Sequence, residues 1–230
     1  MRPPLSRIEW PKSVRIVPSR YPPVGLFDRV ADQADLEAVF EIEGMTNDRI
    51  RDQLGEIHLV PEDERIRGPG TTPVMAAFTH PNVEGSRFSD GAFGVYYAAD
   101  GLETAIAETR FHRERFLRFS SEPPMRIEMR AYYAKIEADL HDLRDSGASN
   151  PEWFNPEPSA YGASQALGSR LRQEGSFGVI YHSVRRPVGE SVGIFRPRAI
   201  NPVRQGPHFV YLWNGDAITD VLQVKRISEV

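Results

Sequence analysis

The sequence contains no cysteine among its 230 residues. A chain without thiols forms no disulfide, builds no cysteine-ligated metal site and has no thiol nucleophile. Serine, carboxylate, histidine and tyrosine side chains remain as candidates for chemistry. The absence is also typical of proteins from a reducing compartment, where disulfides rarely persist.

Long hydrophobic runs are absent as well. The longest apolar stretches, residues 74–78 and 95–99, are far shorter than the roughly 20 residues that a helix needs to cross a bilayer. The first five residues carry an arginine and two prolines and lack the apolar segment of a signal peptide. We therefore expect a cytoplasmic protein without membrane attachment.

Positive charge is not in excess, since the formal net charge is −4. Sequence-independent binding of nucleic acid needs clustered Lys and Arg, so we expect no direct nucleic-acid ligand. The six histidines show no H-x-x-x-H pair, and without thiolates a metal site is not expected. The glycine-rich signatures G-x-G-x-x-G and G-x-x-x-x-G-K-[ST] are also missing, which removes the Rossmann and P-loop interpretations.

The composition is that of a globular protein, with 40% apolar and 26% charged residues. Interspersed helical and strand patterns, with a closing hairpin at Asn214-Gly215, predict an α+β fold built on a compact mixed sheet. We predict an N-terminal arm over residues 1–24 and a single domain over 25–230, with a helical insertion around 32–80. The predicted helices are 35–43, 47–54, 72–78, 102–117 and 160–174, and the predicted strands are 25–30, 92–99, 125–133, 177–183, 192–195, 209–213 and 217–224.

The segment from residue 85 to 108 places three chemically useful side chains around one predicted strand-turn-helix. Arg87, Tyr97 and Glu108 follow one another at spacings of ten and eleven residues. Cleavage of a nicotinamide–ribose bond needs a donor for pyrophosphate, an aromatic surface for nicotinamide and a carboxylate beside the developing ribosyl cation. The alternative is structural: a surface arginine, a core tyrosine and a helix glutamate. The spacing alone favours this structural interpretation over the catalytic one.

A second glutamate pair, Glu41 and Glu43, resembles the paired glutamates of arginine-directed ADP-ribosylating enzymes. The surrounding pattern is helical, so we interpret this pair as part of a helix flank rather than as a catalytic motif.

Two blocks of sequence resemble the RES-domain family, which is named for its Arg, Glu and Ser. The first comprises Arg87–Phe88, Gly91, Val95–Ala98 and Ala105–Glu108, similar to the family's R-W, G, x-Y-x-A and A-x-x-E pattern with Phe88 in place of tryptophan. The second, Phe177–Arg185, is similar to its G-[IV]-x-Y-x-S segment. Residues 27–30 match the opening strand less specifically, and the insertion before Arg87 is longer than in compact members.

The resemblance implies a fold similar to that of ADP-ribosyltransferases, NAD as a substrate and no metal. It implies that Arg29 and Arg87 hold the cofactor, that Tyr97 stacks on nicotinamide, and that Glu108 stabilises the ribosyl cation or activates the acceptor. Ser183 would hydrogen-bond ribose or nicotinamide, while Tyr181 and Gln165 are weaker candidates.

Family members are toxins that either break down NAD, by hydrolysis or phosphorolysis, or transfer ADP-ribose to a protein. The segment Met45–Arg49 resembles long-form members that modify phosphoribosyl pyrophosphate synthetase, so transfer to that protein is the first expectation and depletion of NAD the alternative. Either activity would arrest growth. The expected partner is an Xre-type antitoxin that occludes the active site. A non-enzymatic alternative is a binding module whose tyrosines and Trp153 form a partner surface.

Overall fold

The structure is a computed structural model that describes residues 2–19 and 55–225. The predicted strand 25–30 and the predicted helices 35–43 and 47–54 lie outside these residues, as do Arg29 and the pair Glu41 and Glu43. The described strands and α-helices are, in chain order, β1 (Leu5–Pro18), α1 (Thr72–Thr79), β2 (Tyr96–Ala99), α2 (Leu102–Phe119), β3 (Met125–Asp142), α3 (Gly162–Gln173), β4 (Gly178–His182), β5 (Glu190–Ile194), β6 (Arg204–Trp213) and β7 (Ile218–Val224).

The seven strands form one mixed sheet in the order β1-β2-β5-β4-β3-β6-β7, and β1 also pairs with β3. Strands β1, β2, β5, β4 and β3 therefore close into a ring. Strand β6 pairs with residues 125–133 of β3, and β7 pairs with β6. The pair β3–β4 is parallel and the other pairs are antiparallel. This architecture confirms the α+β prediction.

Strand β3 is the longest element of the sheet and continues nine residues beyond the predicted strand 125–133. Its second half alternates strictly between exposed and buried side chains, as a strand with one face on the core must. The exposed set is Lys135, Glu137 and Asp139, and the buried set is Ile136, Ala138 and Leu140.

The predicted N-terminal arm is extended, but residues 5–18 are a full strand of the sheet rather than a separate arm. Strand β1 pairs with β3 from Leu5 opposite His141 to Pro18 opposite Met129. Its register shifts between Trp10 and Ser13, where Pro11 interrupts the ladder because it has no N–H to donate. The high proline content of the first thirty residues predicts an extended arm, whereas the long-range pairing with β3 makes residues 5–18 part of the sheet.

Helices α1, α2 and α3 confirm the predicted helices 72–78, 102–117 and 160–174 to within two residues at each end. Between β3 and α3 the chain forms three short 3-10 turns, at Arg144–Ser146, Pro151–Phe154 and Pro158–Ala160. Within residues 2–19 and 55–225, no helix combines the length and apolar character needed to cross a membrane.

Three clusters of buried side chains fill the interior. The one that supports the candidate site packs β4, β5 and α3 against the segment that precedes β2. It consists of Phe88, Phe93, Val95, Leu143, Leu167, Leu171, Val179, Tyr181 and Phe195.

Candidate active site

Arg87 lies in a tight turn between α1 and β2, where the N–H of Ser86 donates to the carbonyl of Ser89 at 2.6 Å. The next side chain, Phe88, is completely buried. Helix α3 crosses this turn so closely that a Cβ on Gly168 would lie 2.0 Å from the Phe88 carbonyl oxygen. Glycine at position 168 therefore lets the helix press on the turn and set the position of Arg87.

The guanidinium of Arg87 is buried and has three acceptors. It donates to the carbonyls of Trp153 at 3.2 Å and Asn155 at 3.0 Å, and to the Tyr161 hydroxyl at 3.0 Å. It also lies over the Tyr161 ring, 4.3 Å from the ring centre. Arg87 thus ties the turn before β2 to the segment before α3, and most of its donors serve that contact.

Tyr97 on β2 points toward the same turn. Its hydroxyl lies 2.9 Å from Ser86 Oγ and accepts a hydrogen bond from the N–H of Phe88 at 3.0 Å. The ring crosses Gly193 on β5, where an added Cβ would lie only 3.3 Å from it. Burial raises the pKa of Tyr97 to about 12, so its hydroxyl stays protonated near neutral pH.

Glu108 on α2 meets Ser183, the residue directly after β4. Ser183 is buried and donates from Oγ to Glu108 Oε1 at 2.6 Å. The same Oγ accepts the backbone N–H groups of Arg185 at 3.2 Å and Arg186 at 3.0 Å. One donor and two acceptors is the full capacity of a hydroxyl, so the orientation of Ser183 toward Glu108 is fixed by the backbone turn.

Tyr181 lies where these groups converge. Its ring meets the Phe88 ring edge to face at 5.2 Å between centres. Burial raises the pKa of Tyr181 well above its usual value, and the neighbouring Glu108 and Tyr97 raise it further while Arg87 lowers it. Arg87, Tyr97 and Glu108 therefore lie near Tyr181, and Ser183 joins them through its hydrogen bond to Glu108. The catalytic and binding roles of these residues are predictions.

The weaker candidate Gln165 lies at the edge of the cluster. Its side-chain amide donates to the Ser86 carbonyl at 3.0 Å, which steadies the turn that carries Arg87. Trp153 is partly buried against the supporting core, so it serves the interior at least as much as a surface. Arg29 lies outside the described residues.

Two residues that the sequence analysis missed complete the cluster, Tyr161 and Arg185. Tyr161 precedes α3 and is buried; besides the bond from Arg87, its hydroxyl accepts one from Arg185 Nη2 at 3.4 Å. Arg185 also donates to the Pro156 carbonyl and stacks on Phe111 of α2, 3.2 Å from the ring centre. Arg185 is the last residue of the family-like block Phe177–Arg185, so its position in that block could have identified it from the sequence. No sequence pattern around Tyr161 indicates a role in the site.

Residues 2–19 and 55–225 contain no group of three or more His, Asp or Glu side chains that could hold a metal ion. The described cluster offers one carboxylate, three phenols, a hydroxyl and guanidinium groups. Such a set binds anions and stabilises a developing positive charge next to the carboxylate.

Comparison with known proteins places this cluster in a family. The RES domain family model matches residues 63–214, which include every described residue of the cluster. A curated relative, the uncharacterised protein y4oC of Sinorhizobium fredii, is 30% identical over 207 residues, covering 89% of this chain and 84% of that protein. The structure of the M. tuberculosis MbcT–MbcA toxin–antitoxin complex aligns with a TM-score of 0.46 and 12% identity, over 91% of this chain and 87% of that one. By the extent of the family match and the identity to its relative, the chain belongs to the RES-domain family.

Proposed function

We propose that this protein is the toxin of a toxin–antitoxin pair and that it consumes NAD at the cluster around Glu108. The observation that carries the proposal is the state of the Glu108 carboxylate. Oε1 is held by Ser183 at 2.6 Å, while Oε2 has no hydrogen-bond partner within the described part of the chain. A carboxylate oriented in this way, in a cluster that also contains the guanidinium groups of Arg87 and Arg185, suits a substrate that is anionic at one end and develops positive charge at the other.

The proposed step breaks the bond between ribose C1′ and the nicotinamide nitrogen. The bonding electron pair leaves with nicotinamide, which becomes neutral, and positive charge develops on the ribose ring. Glu108 stabilises that charge, and its unpartnered oxygen accepts a proton from the incoming nucleophile. The phenol of Tyr97 supplies an aromatic surface for the nicotinamide ring, and Ser183 keeps the carboxylate aimed at the ribose.

We further propose that the acceptor of ADP-ribose is a protein, with phosphoribosyl pyrophosphate synthetase as the first candidate. Support comes from the resemblance of Met45–Arg49 to long-form members of the family, a segment that lies outside the described residues. The competing outcome is depletion of NAD, with water or phosphate as the acceptor.

Two parallel measurements with the same purified protein separate these outcomes, and free nicotinamide is quantified in each. The purified protein is incubated with NAD, and free nicotinamide is quantified by chromatography. In parallel, a cell lysate is treated with the protein and with NAD labelled in its adenine moiety. Transfer to a protein yields a labelled band that mass spectrometry identifies, whereas depletion yields labelled ADP-ribose or its phosphorylated product without a band. Absence of nicotinamide release in both samples contradicts the proposed function.

The proposed partner is an antitoxin with an Xre-type DNA-binding domain that covers the cluster. A site that attracts an anionic substrate through guanidinium groups also suits a carboxylate from a partner, because both ligands offer the same geometry. NAD should then bind the free chain and not the preformed complex, as calorimetry would show. Equal binding of NAD to both would place the antitoxin elsewhere.

A further inference from the structure

The guanidinium groups of Arg87 and Arg185 converge on one hydroxyl, and the reaction above does not say which of them contacts the anionic end of the substrate. The Tyr161 hydroxyl accepts from Arg87 Nη2 at 3.0 Å and from Arg185 Nη2 at 3.4 Å. Two guanidinium groups are thereby held at one oxygen atom. Within the described residues neither of them forms an ion pair with a carboxylate.

Like charges held together without a counterion repel each other, and an anion bound between them relieves that repulsion. Arg87 has limited capacity for this purpose, because it already donates to Trp153, Asn155 and Tyr161. Arg185 differs in that its Nε is buried and has no hydrogen-bond partner. A buried N–H without an acceptor is unfavourable unless a ligand supplies one.

The surroundings of Arg185 hold its guanidinium in place. One face lies on the Phe111 ring, and Nη2 donates to the Pro156 carbonyl. Its own backbone N–H is bound to Ser183 Oγ, the atom that also holds Glu108. The residue that orients the carboxylate and the residue with the free donor therefore belong to the same turn.

We propose that Arg185 is the principal phosphate-binding residue of this site and that Tyr161 positions it. The ligand is the pyrophosphate group of a dinucleotide, which accepts a hydrogen bond from Arg185 Nε, while Arg87 on the same Tyr161 hydroxyl adds positive charge. This inference rests on the proposed function, since it assigns the anionic half of the same substrate. The direct contact with the pyrophosphate is thereby assigned to Arg185 rather than to Arg87, the residue to which the family resemblance assigns it.

The test measures binding of ADP-ribose and of inorganic pyrophosphate by calorimetry, together with the kinetics of nicotinamide release. Arg185→Gln should weaken binding of both ligands by about ten- to a hundredfold, the scale for one charge-assisted contact. KM for NAD should rise by a similar factor with kcat little changed, because a phosphate contact is the same in the ground state and the transition state. Tyr161→Phe keeps the ring under Arg87 and should raise KM less, again without a fall in kcat.

Arg186→Gln is the matched control, since it removes an equal charge from the next residue. Arg186 pairs with the exposed Glu103 and has no contact with Tyr161. It should leave both affinities unchanged, and a loss equal to that of Arg185→Gln would overturn the proposal by showing a general effect of surface charge. If circular dichroism shows that Arg185→Gln is unfolded, Arg185→Lys replaces it in the test. Lysine retains the positive charge but lacks the planar guanidinium that binds phosphate through two N–H groups, so this variant should still bind both ligands more weakly than the wild type.

The inference fails if the wild-type protein binds neither ADP-ribose nor pyrophosphate, or if the folded Arg185 variants bind both ligands like the wild type. It stands, and the proposed function falls, if the wild-type protein binds both through Arg185 but releases no nicotinamide from NAD. The two hypotheses are therefore separated by the binding and turnover measurements.

Discussion

Ser183 Oγ lies 2.6 Å from Glu108 Oε1 and donates its proton to that oxygen. This hydrogen bond joins the end of β4 to the middle of α2, two elements separated by 75 positions in the chain. Because Ser183 is buried and its remaining capacity is used by two backbone N–H groups, the carboxylate is restrained rather than free to rotate. Restraint before the reaction is what makes a charged group effective in a transition state.

The first prediction concerns the charge of that carboxylate. Glu108→Gln preserves shape and one acceptor, so the fold should be retained, but nicotinamide release should fall by about two to three orders of magnitude. The loss should appear in kcat, measured with saturating NAD. Glu103→Gln, five positions earlier on α2 and mostly exposed, is the control and should keep full turnover. A folded Glu108→Gln protein with unchanged turnover would remove Glu108 from the mechanism.

A second prediction takes the same pair of variants into cells. Expression of the wild-type protein without an antitoxin should stop growth, since either depletion of NAD or inactivation of a nucleotide-forming enzyme is harmful. Expression of Glu108→Gln to the same level should permit growth, and Glu103→Gln should remain toxic. Growth curves with immunoblots to match protein amounts provide the measurement. Equal toxicity of the Glu108 variant would indicate a binding activity independent of NAD chemistry.

The third prediction concerns the contact of α3 with the Arg87 turn. Gly168→Ala places a Cβ 2.0 Å from the Phe88 carbonyl oxygen, so the helix or the turn must move. We expect a loss of about 1–3 kcal/mol of unfolding free energy, the usual range for an overpacked core, and a lower turnover because Arg87 shifts with the turn. Gly162→Ala, on the same helix with open space around it, is the control and should be neutral or stabilising. Chemical unfolding curves that coincide for both variants would contradict this account of α3.

A fourth prediction concerns stability in acid. Hydrogen bonds from Arg144, one of them at 2.9 Å, lower the pKa of Asp142 to about 2. A carboxylate with a lowered pKa stabilises the fold above its unfolded pKa of about 4, and that stabilisation is lost as the pH falls from about 4 to 2. The difference in unfolding free energy between the wild type and Asp142→Asn should therefore be full at pH 7 and shrink below pH 4. Asp139→Asn, on the exposed face of β3, is the control and should change the unfolding free energy less. If the difference in unfolding free energy between the wild type and Asp142→Asn does not change with pH, the Asp142 carboxylate is not its source.

Local periodicity places Arg87, Tyr97 and Glu108 around a single strand-turn-helix. That periodicity is equally compatible with a structural role for these residues, and the expectation that they form one site comes from their resemblance to the RES-domain blocks. The alternation of Lys135 to Leu140 was equally visible, and extending β3 through it would have given the correct strand length.

Other features depend on contacts that local patterns do not encode. Tyr161 reaches Arg87 across 74 positions of the chain, and Arg185 reaches Tyr161 across 24. Nothing in the residues around Tyr161 marks it as a shared acceptor, because its role arises only when α3 packs on the turn. Strand β1 was missed for the same reason, since its partner β3 begins more than a hundred residues later.

The closed ring of strands has a consequence for the order in which the protein is made. Strand β1 is translated before the other described strands, yet it pairs with residues 129–141, and its Arg15 donates to the Tyr97 carbonyl at 2.9 Å. Strand β2, which carries Tyr97, pairs along its length with residues 191–194 of β5. Folds dominated by such distant pairings form late and slowly. A nascent chain therefore lacks an assembled site until residue 194 has left the ribosome, so the proposed activity stays silent while the preceding residues are being translated.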